Sequence, residues 1–332
     1  QEAGRKEFYS SQYEVATYVE DLMQELNGEQ LKESVNSLWQ AFQELSTKPA
    51  ISTNQNLVLQ KAELLVTRSQ SIYSDLKSYQ SNINQQIKDD VDRVNEIGNR
   101  VYELNLKIQK VEAGGVETAM TLRDERDSLL DELGQYGRMD VTEDATGFCF
   151  VDFEGVRFID DHRCNNIGLN SAKGTGFYTP YWPQQSDAAN EKYVSVFRLE
   201  DAISTEMNTD IGGIKSKLLA RGDRYGVASD LTTNEAYDKV SRSTVMEVEA
   251  QIDTLFSRIV KAMNDVYCPN VESKDAITSV DGTVYPAGTK ILDADNCARG
   301  VDGKLPPREL FTRVGVDRYT EVTGTDGKTY YI

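Results

Sequence analysis

The sequence predicts an α+β protein: an elongated helical bundle, in effect a coiled-coil rod, with β-rich domains inserted into it. Three observations carry this expectation. From Ser52 to Val111, apolar residues recur in steps of three and four with no proline between them. Beyond Arg138 the chain turns to short Val-, Phe- and Tyr-rich runs punctuated by Gly, Asn and Asp. From Val245 to Val266 the three-four spacing returns.

The first stretch is the axis. Val58, Ala62, Leu65, Ser69, Ile72, Leu76, Tyr79 and Ile83 fall on one stripe of an α-helix, continued by Ile87, Val91, Val94, Ile97, Val101, Leu104, Ile108 and Val111. Irregular steps at Ile83–Ile87 and around Val94 are places where a coiled-coil seam winds unevenly. Ser52 with Gln55 reads as a capping box after Pro49, and Gly114-Gly115 reads as the stop. At ~1.5 Å per residue such a helix is about 90 Å long. Its stripe would lie in water unless other helices covered it.

Those helices are predicted on both sides. Residues 5–26 carry Phe8, Val15, Val19, Leu22 and Leu26, with a break at Asn27-Gly28. Leu31, Val35, Leu38, Phe42 and Leu45 mark a second helix that stops at Lys48-Pro49. Glu117 to Leu133 forms another, with Ala119, Leu122, Leu129, Leu130 and Leu133 inward. Strands are expected at Met139–Glu143, Phe148–Phe153, Val156–Ile159 and Tyr193–Leu199, with Asn165–Asn190 as loop. Thr232 and Glu235 form a second capping box ahead of Val245, Val248, Ile252, Leu255, Ile259, Ala262 and Val266, and Cys268-Pro269 ends that helix. Further strands are expected at Ile277–Val280, Val284-Tyr285, Lys290–Leu292, Tyr319–Val322 and Thr329–Ile332. The predicted organisation is thus 1–137 helical rod with the long helix at 52–112, 138–223 β-rich lobe, 224–268 returning rod helix, and 269–332 a second, incomplete β-rich insertion. The predicted packing seam comprises Leu76, Ile83, Val91, Val94, Val101, Leu104, Ile108, Val248, Ile252, Leu255 and Ile259.

Composition excludes several classes of function. With 332 residues and a formal net charge of -18, the chain repels nucleic acid and anionic membrane surfaces. No apolar run approaches the ~20 residues that span a bilayer. There is no signal-peptide pattern, and a start at Gln1 suggests an excised or processed chain.

Cys149, Cys164, Cys268 and Cys297 have no close pair of the kind zinc sites use. A Cys149–Cys164 bridge across a hairpin is one reading. Unpaired thiols are the favoured one, since a single bridge would leave two over. His162 is the only histidine and sits in a turn, which removes multi-histidine metal sites and leaves any catalytic triad resting on it alone. In Arg123-Asp-Glu-Arg-Asp127 the ends are i, i+4 neighbours, the spacing of a surface ion pair. Asp293–Gly303 fails as a calcium loop, because Ala298 and Lys304 stand where glycine and glutamate are needed. No Walker or dinucleotide fingerprint is present. The expectation is a protein with no catalytic residue, no cofactor and no metal.

Several stretches resemble one family, flagellar hook-associated protein 1, the FlgK family of the hook–filament junction. Leu38-Trp-Gln-Ala-Phe-Gln-Glu-Leu-Ser46 before Pro49 resembles its short aromatic helix. Ile83 to Ile108, with Asn95 and Asn105, resembles its long-helix motif. Leu122 to Leu133 is similar to the Arg-Asp segment that leads into β structure. Gly212-Gly213 through Leu218-Leu-Ala-Arg-Gly-Asp223 is similar to the family's return, and Ile252–Leu255 through Asn264 to its returning helix.

The resemblance covers roughly residues 30–267 and implies a central fragment without the family's two terminal segments. It also implies type III export, a secreted extracellular place in the flagellum, and no catalysis. The partners it implies are copies of itself in a ring, the hook protein, a neighbouring hook-associated protein or filament, and an export chaperone. The rival from another class is a secreted helical adaptor or coiled-coil binding module with no flagellar role. An enzyme in the β lobe would rest on His162 alone.

Overall fold

The computed structural model describes residues 2–27, 30–113, 118–299 and 303–332, without the side chains of residues 23–31. Seven α-helices lie among them: α1 Glu2–Asn27, α2 Gln30–Thr47, α3 Ser52–Glu112, α4 Met120–Tyr136, α5 Gly213–Arg221, α6 Asn234–Val240 and α7 Thr244–Tyr267. The strands are β1 Met139–Glu143, β2 Cys149–Phe153, β3 Val156–Ile159, β4 Gly168–Ser171, β5 Tyr178–Tyr181, β6 Asn270–Glu272, β7 Ile277–Thr278, β8 Val284–Tyr285, β9 Lys290–Leu292, β10 Glu321–Thr323 and β11 Thr329–Tyr331. All sheets are small and antiparallel, in the orders β1-β2-β3, β4-β5, β6-β9, β7-β8 and β10-β11. The α+β class and the long uninterrupted helix agree with the sequence reading.

The described structure divides into two compact units. The first is Gln1–Glu25 with Ile72–Gln251, and the second is Leu26–Ser71 with Ile252–Ile332. Each takes part of α3 and part of α7, and each mixes helix with strand. In the first unit the β region has its own aromatic core, in which Phe148, Phe153, Phe158, Phe177, Trp182 and Phe197 are buried. The β2–β3 connection is a two-residue turn with φ positive at both Glu154 (51°) and Gly155 (78°), the twist that matches two antiparallel strands. In the second unit Leu38 and Ala41 of α2 and Val58, Ala62 and Leu65 of α3 form a core with Phe311. Phe256, Ile259, Val260 and Met263 of α7 pack on it.

Several local expectations are corrected. Asn165–Asn190 is not loop: it holds β4 and β5, and it buries Ile167, Phe177 and Trp182. Tyr193–Leu199 is not a strand but extended chain with a single bridge, Ser195 to Tyr181. The helix expected from Thr232 is two helices, α6 and α7, and the side chain that caps α6 is Thr233, accepting from Ala236 N. At the start of α3, Gln55 Nε2 donates to the Pro49 carbonyl (2.8 Å), so the chain end is tied back without the expected box. Val111 is exposed. The expected stops at Gly28 and Gly114-Gly115 and the side chain of Leu26 lie outside the described residues.

Candidate functional site: the buried seam of the long helix

In the first unit the apolar stripe of α3 is inward from Ile72 to Ile108 except at Tyr79. Leu76, Ile83, Val91, Val94, Val101, Leu104 and Ile108 are all at most 2% exposed. The stripe also takes in polar residues that apolar periodicity passes over. Gln80 is buried where Tyr79 was expected, and its Nε2 donates to the carbonyls of Arg221 (2.8 Å) and Arg224 (3.3 Å). Tyr79 instead stacks on Tyr18 of α1, with ring centroids 3.7 Å apart.

The β region is fastened to α3 by three asparagines. Asn95 Nδ2 donates to the Ile167 carbonyl (2.9 Å) and its Oδ1 accepts from Ile167 N (2.7 Å). Asn105 makes the same pair with Cys149. Asn84 accepts from Tyr178 N (2.8 Å) and donates to the Gly176 carbonyl (3.2 Å). An amide side chain carries one acceptor and a donor group, so it can pair with a strand residue as a neighbouring strand would. A Cβ at Gly98 would fall 2.4 Å from the Phe158 ring and 2.7 Å from Cys164 Sγ, so a side chain there would hold the β region off the helix.

Charged groups complete the fastening. Arg126 of α4 was read as part of a surface run, yet it is 1% exposed. Its Nη1 donates to Asn105 Oδ1 (3.1 Å) and the Gly147 carbonyl (2.7 Å), and its Nη2 to Glu143 (2.8 Å). Arg123 does not pair with Asp127: it grips Glu112 at the end of α3 (2.7 and 2.8 Å) and Glu143 (2.8 Å). The Arg123 guanidinium, with Ala119 N, holds the Glu112 carboxyl down to about 2. Arg93 and Arg100 of α3 bond Glu132 and Glu125 of α4. The sequence signal for Arg126 was its i−4 and i+4 neighbours, Leu122 and Leu130, which place it on the inward face.

On α7 the seam departs from expectation. Ile252 is buried, Val248 half-buried and Ile259 partly buried, but Leu255 is 46% exposed. Ala262 and Val266 are exposed as well, while Phe256, Val260 and Met263 turn inward. A straight α-helix drifts about 20° per heptad against a 3.5-residue repeat. That drift is too small to move the face by a whole residue, about 100°: the inward line is 249, 256 and 263 rather than 248, 255 and 262, a line that apolar spacing passes over because Glu249, fully buried, stands on it. Asn264 repeats the asparagine device: its Nδ2 donates to the Phe311 carbonyl (2.8 Å) and its Oδ1 accepts from Phe311 N (3.0 Å).

Among the described residues, no group of three or more His, Cys, Asp or Glu is placed to hold a metal ion. The His162 side chain is 85% exposed in a turn where Asp160 accepts from the amides of 162 and 163.

These features define a structural helical domain whose β region is buttoned to its own long helix. The sequence pattern of the flagellar hook-associated protein FlgK helical domain matches residues 16–274, and the chain belongs to that family. The flagellar hook junction protein FlgK from Burkholderia pseudomallei has a similar fold. The TM-score is 0.56 at 15% identity, over 90% of this chain and 54% of that one. This chain thus spans about half the length of that structure. No curated protein matches the sequence. Among the described residues no helix is long and apolar enough to cross a membrane.

Proposed function

We propose that this chain is the helical part of a hook–filament junction protein. In that role copies of it pack side by side in a ring, with hook protein on one side and a neighbouring hook-associated or filament protein on the other. The chain is exported by the flagellar type III pathway, handed over by an export chaperone, and works outside the cell without catalysing a reaction. The observation that carries this reading is the match to the FlgK helical domain over residues 16–274.

The packing supports it. The buried stripe of α3 packs inside each unit, and with a formal net charge of -18 copies of the chain repel one another. Lateral contacts between such copies are weak singly and hold only when many form together in a closed ring. A secreted adaptor has no need for the α3–α7 pairing seen in the second unit.

Deleting the full-length protein from a flagellated cell tests the role. Hooks without filaments are expected in electron micrographs, and filaments of normal length on such cells would refute it. The chain alone should sediment as a monomer at micromolar concentration. A stable ring from this chain alone would place the assembly energy on these two units.

A further inference from the structure

We propose that Cys268 and Cys297 are a modification site, a dithiol pair that a low-molecular-weight disulfide oxidises to an intramolecular bridge. The backbone brings them together. Cys268 directly follows α7, and Ala298 N donates to the Tyr267 carbonyl (3.0 Å). On the other side of Cys268, Asp293 N donates to the Pro269 carbonyl (2.8 Å), and β6 and β9 begin their register with Asn270 opposite Leu292. Residues 269 and 270 therefore run antiparallel to 292 and 293, and the turn 293–297, closed by Cys297 N donating to the Asp293 carbonyl (3.0 Å), brings the chain back to Tyr267. The Asp293 carboxylate fixes that turn by accepting from Asp295 N and Asn296 N. Cys268 thus lies between Tyr267 and Pro269, whose carbonyls accept from the two ends of that turn, Cys297 is the chain neighbour of Ala298, and the Cys297 thiol is among the groups acting on Cys268. A disulfide requires Cα atoms roughly 4.4–6.8 Å apart.

The two thiols differ in a way that orders the chemistry. Cys268 is fully buried, and burial raises its pKa, with the Arg318 guanidinium opposing. Cys297 is half-exposed. Each thiol rests on a carbonyl 3.6 Å away, Cys268 on Pro307 and Cys297 on Ala294. Cys297 as thiolate attacks oxidised glutathione, forms a mixed disulfide and expels one glutathione thiolate. Cys268 then gives up its proton and attacks the Cys297 sulfur, which expels the second glutathione. Two protein thiols are oxidised and one glutathione disulfide is reduced to two thiols. Cys149 and Cys164 are set apart from this chemistry, because burial pushes both thiols up to about 12.

The test is to incubate the folded chain with oxidised glutathione, alkylate it in denaturant and map the peptides by mass spectrometry. Free thiols should fall from four to two, with Cys268 linked to Cys297. Cys268→Ala should retain glutathione on Cys297. Cys297→Ser, at a half-exposed position that folding tolerates, should keep its three remaining thiols. Four free thiols in the wild type, a stable glutathione adduct on wild-type Cys297, or loss of thiols in Cys297→Ser would each overturn the proposal.

Discussion

Asn105 and Cys149 exchange two hydrogen bonds between a helix side chain and a strand backbone. Nδ2 donates to the Cys149 carbonyl (2.8 Å), and Oδ1 accepts from Cys149 N (3.2 Å). The same oxygen accepts from Arg126, so one buried side chain joins α3, β2 and α4. Asn95 with Ile167 and Asn264 with Phe311 repeat the device, the last in the other unit.

Asn105→Ala would leave a backbone N–H, a carbonyl and part of a guanidinium unsatisfied in the interior. Each buried orphan costs about 1–3 kcal/mol, and partial relaxation brings the expected loss to about 3 kcal/mol. Urea unfolding should show a lower midpoint for Asn105→Ala. An unchanged midpoint would mean that the amide does not hold the strand.

Gly98→Ala decides between two opposed effects. In an exposed helix interior, alanine is better than glycine by about 1 kcal/mol. Here the added methyl would meet the Phe158 ring, itself fully buried, and the Cys164 sulfur. Overpacking of that kind costs about 1–3 kcal/mol. The variant should melt below the wild type; a higher melting temperature would show that the β region yields easily.

Glu249 gives stability a pH dependence of definite sign. It is fully buried, Oε2 accepts from Gly226 N (2.6 Å), and Oε1 has no partner. Burial pushes its carboxyl from 4.5 up to about 7, opposed by the Gly226 amide and by the Lys77 ammonium. The folded state therefore binds the proton more tightly than the unfolded one. The stabilisation is complete below about 4.5, declines as pH rises, and is lost above about 7, an effect on the order of a few kcal/mol. Glu249→Gln mimics the protonated form and should flatten that part of the curve. Parallel curves for the two proteins between pH 5 and 8 would refute the burial argument.

What could be read from the sequence divides along physical lines. The helices were legible because apolar side chains at three-four spacing report directly on burial, and α3 was placed to within a residue of Ser52–Glu112. The strands β1 to β3 were legible from their residue types and turns. Strands β4 and β5 were not, because what holds them is helix side chains such as Asn84 and Asn95 bonding their backbone and its approach, which leaves no mark on their own composition. Arg126 was misread for a related reason: a charge is assigned to solvent unless its partners are known, and those partners, Asn105, Glu143 and the Gly147 carbonyl, come from three separate stretches.

The α7 face gives the sharpest contrast between sequence pattern and packing. Heptad spacing places Leu255 inward, yet it is 46% exposed, while Phe256 belongs to the core with Leu38, Val58 and Ala62. A carboxylate at 255 can stay in water, where surface substitutions change stability by about 0.5 kcal/mol or less. At 256 it would lose an aromatic ring packed on the core of Leu38, Val58 and Ala62 and bring a charge against apolar groups, at a cost of about 3–5 kcal/mol. Thermal melts should therefore place Leu255→Asp beside the wild type and Phe256→Asp far below it. The reverse order would put Leu255, and not Phe256, on the packed line of α7. Because Leu255→Asp leaves the fold intact, its effect in the full-length protein also separates folding from assembly. Filament growth lost with unchanged melting would assign the exposed side of α7 to a contact with a partner.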